Sequence, residues 1–262
     1  MKHARVIESG KMYGSMNTSA NFYPAGMTAE ERAKDFLSRR KQMGEFFGFD
    51  GAKMFMADQK TKNGSSFKIT KDFVEAYPNG WADIPQDILV ITNEVPKVVI
   101  GHPVADCPVV MMEDPINGVS AIAHCSAAFI NDRLPMMLAD ALTEYGSRDK
   151  DIITYVSACA GSGWTYDKWP GWATDLDLWK GAIREENGIF RIDLRNAIAK
   201  QLAERNIDLG KTIFNLDDTI TNPNYFSNCA SSPRGGNDAS KAGRHFAGLY
   251  YPERGKVLMK NK

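Results

Sequence analysis

The chain has 262 residues, of which 43% are hydrophobic and 10% aromatic, enough apolar material for a sizeable buried core. Lys plus Arg and Asp plus Glu both number 32, so the formal charge is zero and no global field draws the protein to nucleic acid or to anionic lipid. The amino terminus MKHARVIESG has no apolar signal core and no later run is long enough to span a bilayer, so a cytoplasmic protein with four reduced cysteines is expected.

Thr28 and Glu31 have the spacing of a capping box, and the amphipathic run through Phe36, Leu37 and Met43 to Phe47, ahead of Gly48, predicts a helix with one buried face. AKMFMADQ reads as a strand entering the polar turn KTKNGSS, and a short helix is expected around Lys71 to Tyr77. DILVIT, KVVIGHPVADC, VVMME and VSAIAHC then follow as apolar runs parted by turn residues, predicting neighbouring strands of one sheet. Pro115, Asn117 and Gly118 supply turn chemistry between the last two, which predicts an antiparallel hairpin.

NDRLPMMLADALTEYG predicts a helix capped by Asn131 or Asp132, stopped at Gly146, with Pro135 in its first turn. DIITYVSAC predicts a strand, and the aromatic segment holding Trp164, Tyr166, Trp169, Trp172 and Trp179 follows it. Such a group can stack a planar base, form satellite core or make an oligomer contact. IDLRNAIAKQLAERNID predicts a helix capped by Asp193, KTIFNLDD a strand, and the tail a long glycine-rich loop ending in a last strand. Strands and helices alternate irregularly, so an α+β (mixed α/β) fold is expected: a single domain over 1–262, with a mixed sheet and flanking helices.

In the hairpin reading, residues near 107 and 124 return to one edge of the sheet. A thiol and an imidazole brought together there have two uses: zinc ligation, or a nucleophile with its base. Packing without contact is the third possibility.

The segment DILVITNEVPKVVIGHPVADCPVVMMEDPINGVSAIAH resembles the centre of the YfiH-type laccase-domain family, also called polyphenol oxidase proteins. There an aspartate, an apolar run and Thr-Asn precede a strand ending in Ala-Asp-Cys, and a hairpin then ends in Ala-x-His-Ala-Gly-Trp-Arg-Gly. SRRKQMGEFFGFD, AKMFMADQ, FRIDLRNAIAKQLAERNID, IFNLDDT, YFS and AGR resemble further family elements in the same order. The resemblance implies a YfiH-like fold, similar to the catalytic domain of the cytotoxic necrotizing factor deamidases. It also implies a zinc pocket of two histidines and a cysteine, and a purine nucleoside phosphorylase with adenosine deaminase activity. On that basis Cys107 and His124 fall on two metal ligands, Gln59 precedes the first metal histidine, and a nucleoside-like substrate and phosphate are the expected partners. Arg234 and Arg244 would supply anion-binding charge, and Asp106 would orient a donor or cap its turn.

The sequence departs from the pattern at several points. Thr61 stands at the first metal histidine, Ala127 and Ala128 at the pocket Trp and Arg, Asp218 at a late cysteine and Cys229 at an arginine. The missing ligand could be His102, Cys125 or His245. His102 lies within an apolar strand and reads as a hydrogen-bonded core residue. Cys125 alternates away from His124, and His245 reads as a loop residue beside the pocket, which makes it the preferred third ligand. Three functions stay open: a zinc enzyme on purine nucleosides, a metal-independent Cys107–His124 hydrolase or amidase, and a non-catalytic descendant keeping the fold for binding or assembly, as monomer or homo-oligomer. Copper is less favoured than zinc, because copper oxidase chemistry wants more than the four histidines present.

Overall fold

A computed structural model describes residues 3–17, 23–161, 163–231 and 243–253. In chain order its elements are β1 (Arg5–Glu8), α1 (Ala29–Phe47), β2 (Met54–Phe55), β3 (Ser66–Ile69), α2 (Lys71–Ala76), β4 (Ile88–Thr92), β5 (Val99–Val104), β6 (Val109–Asp114) and β7 (Val119–His124). There follow α3 (Ala127–Asn131), α4 (Leu134–Thr143), β8 (Ile153–Val156), β9 (Thr165–Tyr166), α5 (Leu176–Trp179), β10 (Ile183–Glu186), β11 (Ile189–Ile192), α6 (Leu194–Glu204), β12 (Thr212–Phe214), α7 (Asn228–Ser231) and β13 (His245–Tyr250). The fold is mixed α/β, as the irregular alternation predicts.

Local chemistry sets the element ends. The Thr28 side chain accepts from the Glu31 amide while Glu31 reaches back to Thr28, and Gly48 closes α1 in the left-handed region at φ 83°. Asp193 caps α6 by accepting from the Asn196 amide. The helix expected after residue 130 is α4, but it begins at Leu134 rather than behind a cap at Asn131 or Asp132, and a further short helix, α3, precedes it. Ser126 caps α3, and Arg133, at φ 66°, breaks the path before α4, whose first turn holds Pro135. A left-handed residue cannot continue an α-helix, so α3 and α4 meet at a corner.

Two large sheets lie face to face. One has the order β12-β8-β6-β7-β4-β3 and the other β1-β13-β5-β2; a three-stranded sheet, β10-β11-β9, stands apart. The hairpin β6–β7 is antiparallel as expected, with Val109 opposite His124 and Asp114 opposite Val119. The expectation of β4, β5, β6 and β7 in one sheet fails for β5. It pairs antiparallel with β13 and parallel with β2, so the chain changes sheets through 105–108. Sequence neighbours pair only as a tendency, and the tail supplies β5 with a partner that lies far along the chain.

Strand alternation then sorts the core. Val90, Val110, Met112, Ala121 and Ala123 face Ile130, Leu138, Leu142, Ile198 and Leu202 of the helices. Leu89, Ile91, Val109, Met111 and Ile122 face the second sheet, where they meet Ile100, Val104, Ala247 and Leu249. Beyond that sheet Val99, Phe246 and Tyr250 pack on Phe36 and Met43 of α1. Each such fully buried side chain stabilises by roughly 1.5–3 kcal/mol, so the layers are held mainly by these faces. Four of the five aromatics join the core: Trp179 is fully buried, and Trp164, Tyr166 and Trp172 pack against the helix-side cluster, whereas Trp169 is exposed. No helix among the described residues is long and apolar enough to cross a membrane.

Candidate active site between the two sheets

Parity decides which polar side chains enter the gap between the sheets. His124 shares its side of β7 with Ile122, whereas Ala123 and Cys125 belong to the helix-side core. On β5, Ile100 and Val104 face the gap, and His102 lies between them on the same side. On β13, Ala247 and Leu249 face it, and His245 shares their parity. Register completes the arrangement, with Val104 opposite His245, Ala247 opposite His102 and Val109 opposite His124. The crossover between the sheets carries Asp106 and Cys107 at this same end. The ring centres of His102 and His124 are 6.0 Å apart, inclined at 40°.

Gln59, in the loop after β2, fixes the state of His124. Its Nε2 donates to the His124 carbonyl at 2.9 Å, and its Oε1 lies 2.8 Å from His124 Nδ1. A carbonyl can only accept, so the amide orientation is forced and Nδ1 must carry the proton. The lone pair of His124 is therefore on Nε2. Thr61, two residues on, is exposed and turned to other work: its hydroxyl donates to Asp87, which also accepts from the Lys62, Asn63 and Gly64 amides.

Asp106 holds the crossover in place. One carboxylate oxygen accepts from Thr219 Oγ1 and the other from the Cys229 amide, both at 2.7 Å. Its φ of 78° is left-handed, as is the 52° of Gln59. Strained non-glycine residues cluster where a side chain must be placed against local preference.

Burial governs the titration of the group. It holds His124 at about 4, with the Arg244 charge adding to the effect, and holds His102 at about 3, with His124 adding. His245 is held at about 4 by burial, Asp106 opposing and Arg244 assisting. All three imidazoles are neutral at pH 7. Burial pushes the Cys107 thiol up to about 12, Asp106 adds to this and Arg244 opposes it. The same burial raises Cys125, Cys159 and Cys229.

The structure thus brings Cys107, His124, Asp106, Gln59 and Arg244 to one end of the sandwich. Arg244 interacts electrostatically with both Cys107 and His124, yet no hydrogen bond joins those two among the described residues. Arg234 lies outside the described residues. His245 differs from its loop reading: it opens β13, is fully buried, packs edge-on against Tyr225 and meets the Phe226 backbone. Its composition-based placement failed because the glycine-rich tail ends in a buried central strand. Cys125 faces the helix side, as alternation predicts. His102 is buried, but its Nε2 has no hydrogen-bond partner among the described residues, contrary to the satisfied core residue expected. Among the described residues no three His, Cys, Asp or Glu side chains converge as a metal-holding group. An open cavity of about 580 Å3 lies elsewhere, against α6, β11 and β12, and contains none of the expected residues.

Solved structures share this architecture. A hypothetical protein YfiH from Bacillus licheniformis superposes with a TM-score of 0.72 at 19% identity, over 94% of this chain and 91% of its own. YlmD from Geobacillus stearothermophilus gives 0.73 at 18%, over 95% and 92%. NMB0706 of Neisseria meningitidis, from the family DUF152, gives 0.64 at 14%, over 96% and 93%. Comparison with curated protein sequences finds no match. Residues 7–248 match the family described as multi-copper polyphenol oxidoreductase laccase. A match of that extent, on a fold shared along nearly the whole chain, makes this protein a member of that laccase-domain family.

Proposed function

We propose that this chain is a metal-assisted enzyme acting on a small nucleoside-like substrate between the two sheets, by transfer to phosphate or to water. The observation that carries the reading is the Gln59 clamp, which fixes His124 as a neutral imidazole with its Nε2 lone pair directed away from the clamp. Metal-ligating histidines characteristically donate their second ring nitrogen to such a partner.

The donor chemistry suits a borderline ion such as zinc. His124 and Cys107 are the residues that the family pattern assigns to it, and Thr61, bonded to Asp87, leaves the pattern's first histidine unfilled. Zinc, when bound, supplies a Lewis acid and a water of lowered pKa. Gln59 keeps the proton on His124 Nδ1, and Asp106 anchors the crossover that carries Cys107. Arg244, half-buried beside Cys107 and His124, provides positive charge for phosphate or a substrate anion. Val104 and Val109, both buried, exclude water from the floor.

Copper ranks below zinc here. His3 is exposed and bonds Glu113, four residues along β6 from the Val109–His124 pair, so it lies outside the group. The cysteine hydrolase gains no support either: the Cys107 thiol is held neutral by burial beside a carboxylate, and no hydrogen bond joins it to His124 among the described residues.

The test is elemental analysis of protein purified without a histidine tag, joined to release of base or ammonia from purine nucleosides with inorganic phosphate present. One metal per chain and turnover are expected, with His124→Ala lowering turnover by more than about 100-fold. Metal-free protein that turns over no nucleoside would overturn the reading in favour of a non-catalytic binding or assembly role.

A further inference from the structure

We propose that the open cavity against α6, β11 and β12 is a second binding site, built for a small monocarboxylate with an apolar body, such as an aryl- or alkyl-substituted acid. It involves none of the residues grouped around His124 and does not rest on the function proposed above.

The cavity holds about 580 Å3, within the roughly 300–1,000 Å3 of ordinary small-ligand sites. Its lining has two characters. Arg184 of β10, Arg191 of β11 and Arg195 of α6 supply positive charge, while Ile192, Phe214 and Leu216 supply apolar surface.

The arginines are not placed for stability. Arg184 and Arg191 lie directly opposite each other on the antiparallel pair β10–β11, where like charges repel. Glu186 pairs with Arg191 at 2.8 Å, but Arg184 pairs with no carboxylate among the described residues and donates only from Nε, to the Gly181 carbonyl at 3.3 Å. Arg195 bonds backbone carbonyls alone among the described residues. Its Nε donates to Asn215 at 2.9 Å, and its Nη2 to Asp217 at 2.5 Å and to Cys159 at 3.4 Å. Those bonds fix the guanidinium and leave its charge without a counter-ion, so an incoming anion meets a donor that is already ordered.

Charge balance selects the anion. The lining sets three arginines against Glu186 and Asp193, an excess of one positive charge, and Asp193 is further committed as the cap of α6. A carboxylate cancels that excess, and its two oxygens match the guanidinium fork. A phosphate monoester, carrying about −1.5 to −2, would leave the cavity negative. The apolar side receives the body of the acid. Leu216 is 79% exposed, more than any other large hydrophobic residue described, and a ligand lying against it and Phe214 removes that surface from water.

The experiment is titration of the full chain, by calorimetry and by amide NMR, with a matched series: naphthylacetate, naphthylacetamide, naphthyl phosphate and acetate. Naphthylacetate should bind with a Kd below about 1 mM and shift the amides of Gly161, Ala182 and Ala199. The amide and the phosphate should each bind at least about 10-fold more weakly, and acetate not measurably. Arg184→Glu, which sets a carboxylate opposite Arg191, should abolish binding while keeping Tm at or above the wild-type value, which separates loss of the site from loss of fold. Leu216→Ser should weaken naphthylacetate by about 3–10-fold. Equal affinity for the acid and its amide would overturn the proposal and mark the cavity as an apolar crevice, and tighter binding of the phosphate would overturn the choice of a carboxylate. Affinity unchanged in Arg184→Glu, shifts gathered around His124 instead of Gly161 and Ala199, or wild-type protein that binds none of the series would each overturn the site itself.

Discussion

Gln59 holds a left-handed backbone at φ 52°, a conformation that costs a non-glycine residue roughly 1–2 kcal/mol. The return is a side chain aimed at two carbonyls and at Nδ1 of His124. Replacing it by leucine keeps the size and removes every one of those bonds. Gln59→Leu should therefore destabilise the protein by about 1–3 kcal/mol in urea unfolding. The nitrogen-15 NMR shifts of His124 should change from a single tautomer to a mixture; an unaltered tautomer would show that the clamp is incidental. Gln59 was legible in the sequence only through the family pattern, since nothing local marks a glutamine as a histidine's partner. His102 was half legible. Alternation places it inward between Ile100 and Val104, but whether its nitrogens are satisfied depends on atoms contributed by other strands, which one strand's pattern does not contain.

At the scale of elements, the hairpin β6–β7 determines which face His124 occupies. A slip of one residue would exchange its place with Ala123 or Cys125 and send the imidazole into the helix-side core. The turn pins the register: the Asp114 carboxylate accepts from the Ile116 and Asn117 amides, and the Gly118 amide donates to the Asp114 carbonyl at 2.8 Å. Gly118 has φ 66°, and a Cβ there would come within 2.0 Å of Asn93 Nδ2. Gly118→Ala should lower stability by about 1–3 kcal/mol, seen as a reduced urea midpoint at constant m. A midpoint within error of wild type would mean the turn tolerates the side chain and register is held elsewhere. Turn chemistry and apolar runs made this hairpin readable from local residues alone. The partner of β5 was not readable in that way. It arrives from β13, more than a hundred residues later, and the KVVIGHPV run is apolar enough for either sheet.

The whole molecule sets the width of the gap in which His102 and His124 face each other, because each comes from a different sheet. Apolar packing gives the sheets adhesion but little lateral definition, so directional bonds across the interface matter more than their number suggests. Glu8 makes such bonds. It lies on β1, opposite Ala247, which is in turn opposite His102, so the three share one row across the four-stranded sheet. From there its carboxylate reaches the other sheet, accepting from the Ala158 amide at 2.8 Å, from Asn215 Nδ2 at 2.7 Å and from the Tyr155 hydroxyl. Ser120 on β7 and Tyr251 after β13 add a second bridge at 2.8 Å. Glu8→Ala leaves the Ala158 amide without its acceptor and removes two side-chain bonds, so it should cost roughly 2–4 kcal/mol in denaturant unfolding. Glu8→Gln retains an acceptor for that amide and should recover part of the loss. Amide exchange should rise first along β1 and at Ala158, and only later in the β6–β7 hairpin, whose ladder does not depend on the bridge. Uniform acceleration through both sheets, or a Glu8→Ala variant as stable as the parent, would show that packing alone fixes the spacing of the two histidines.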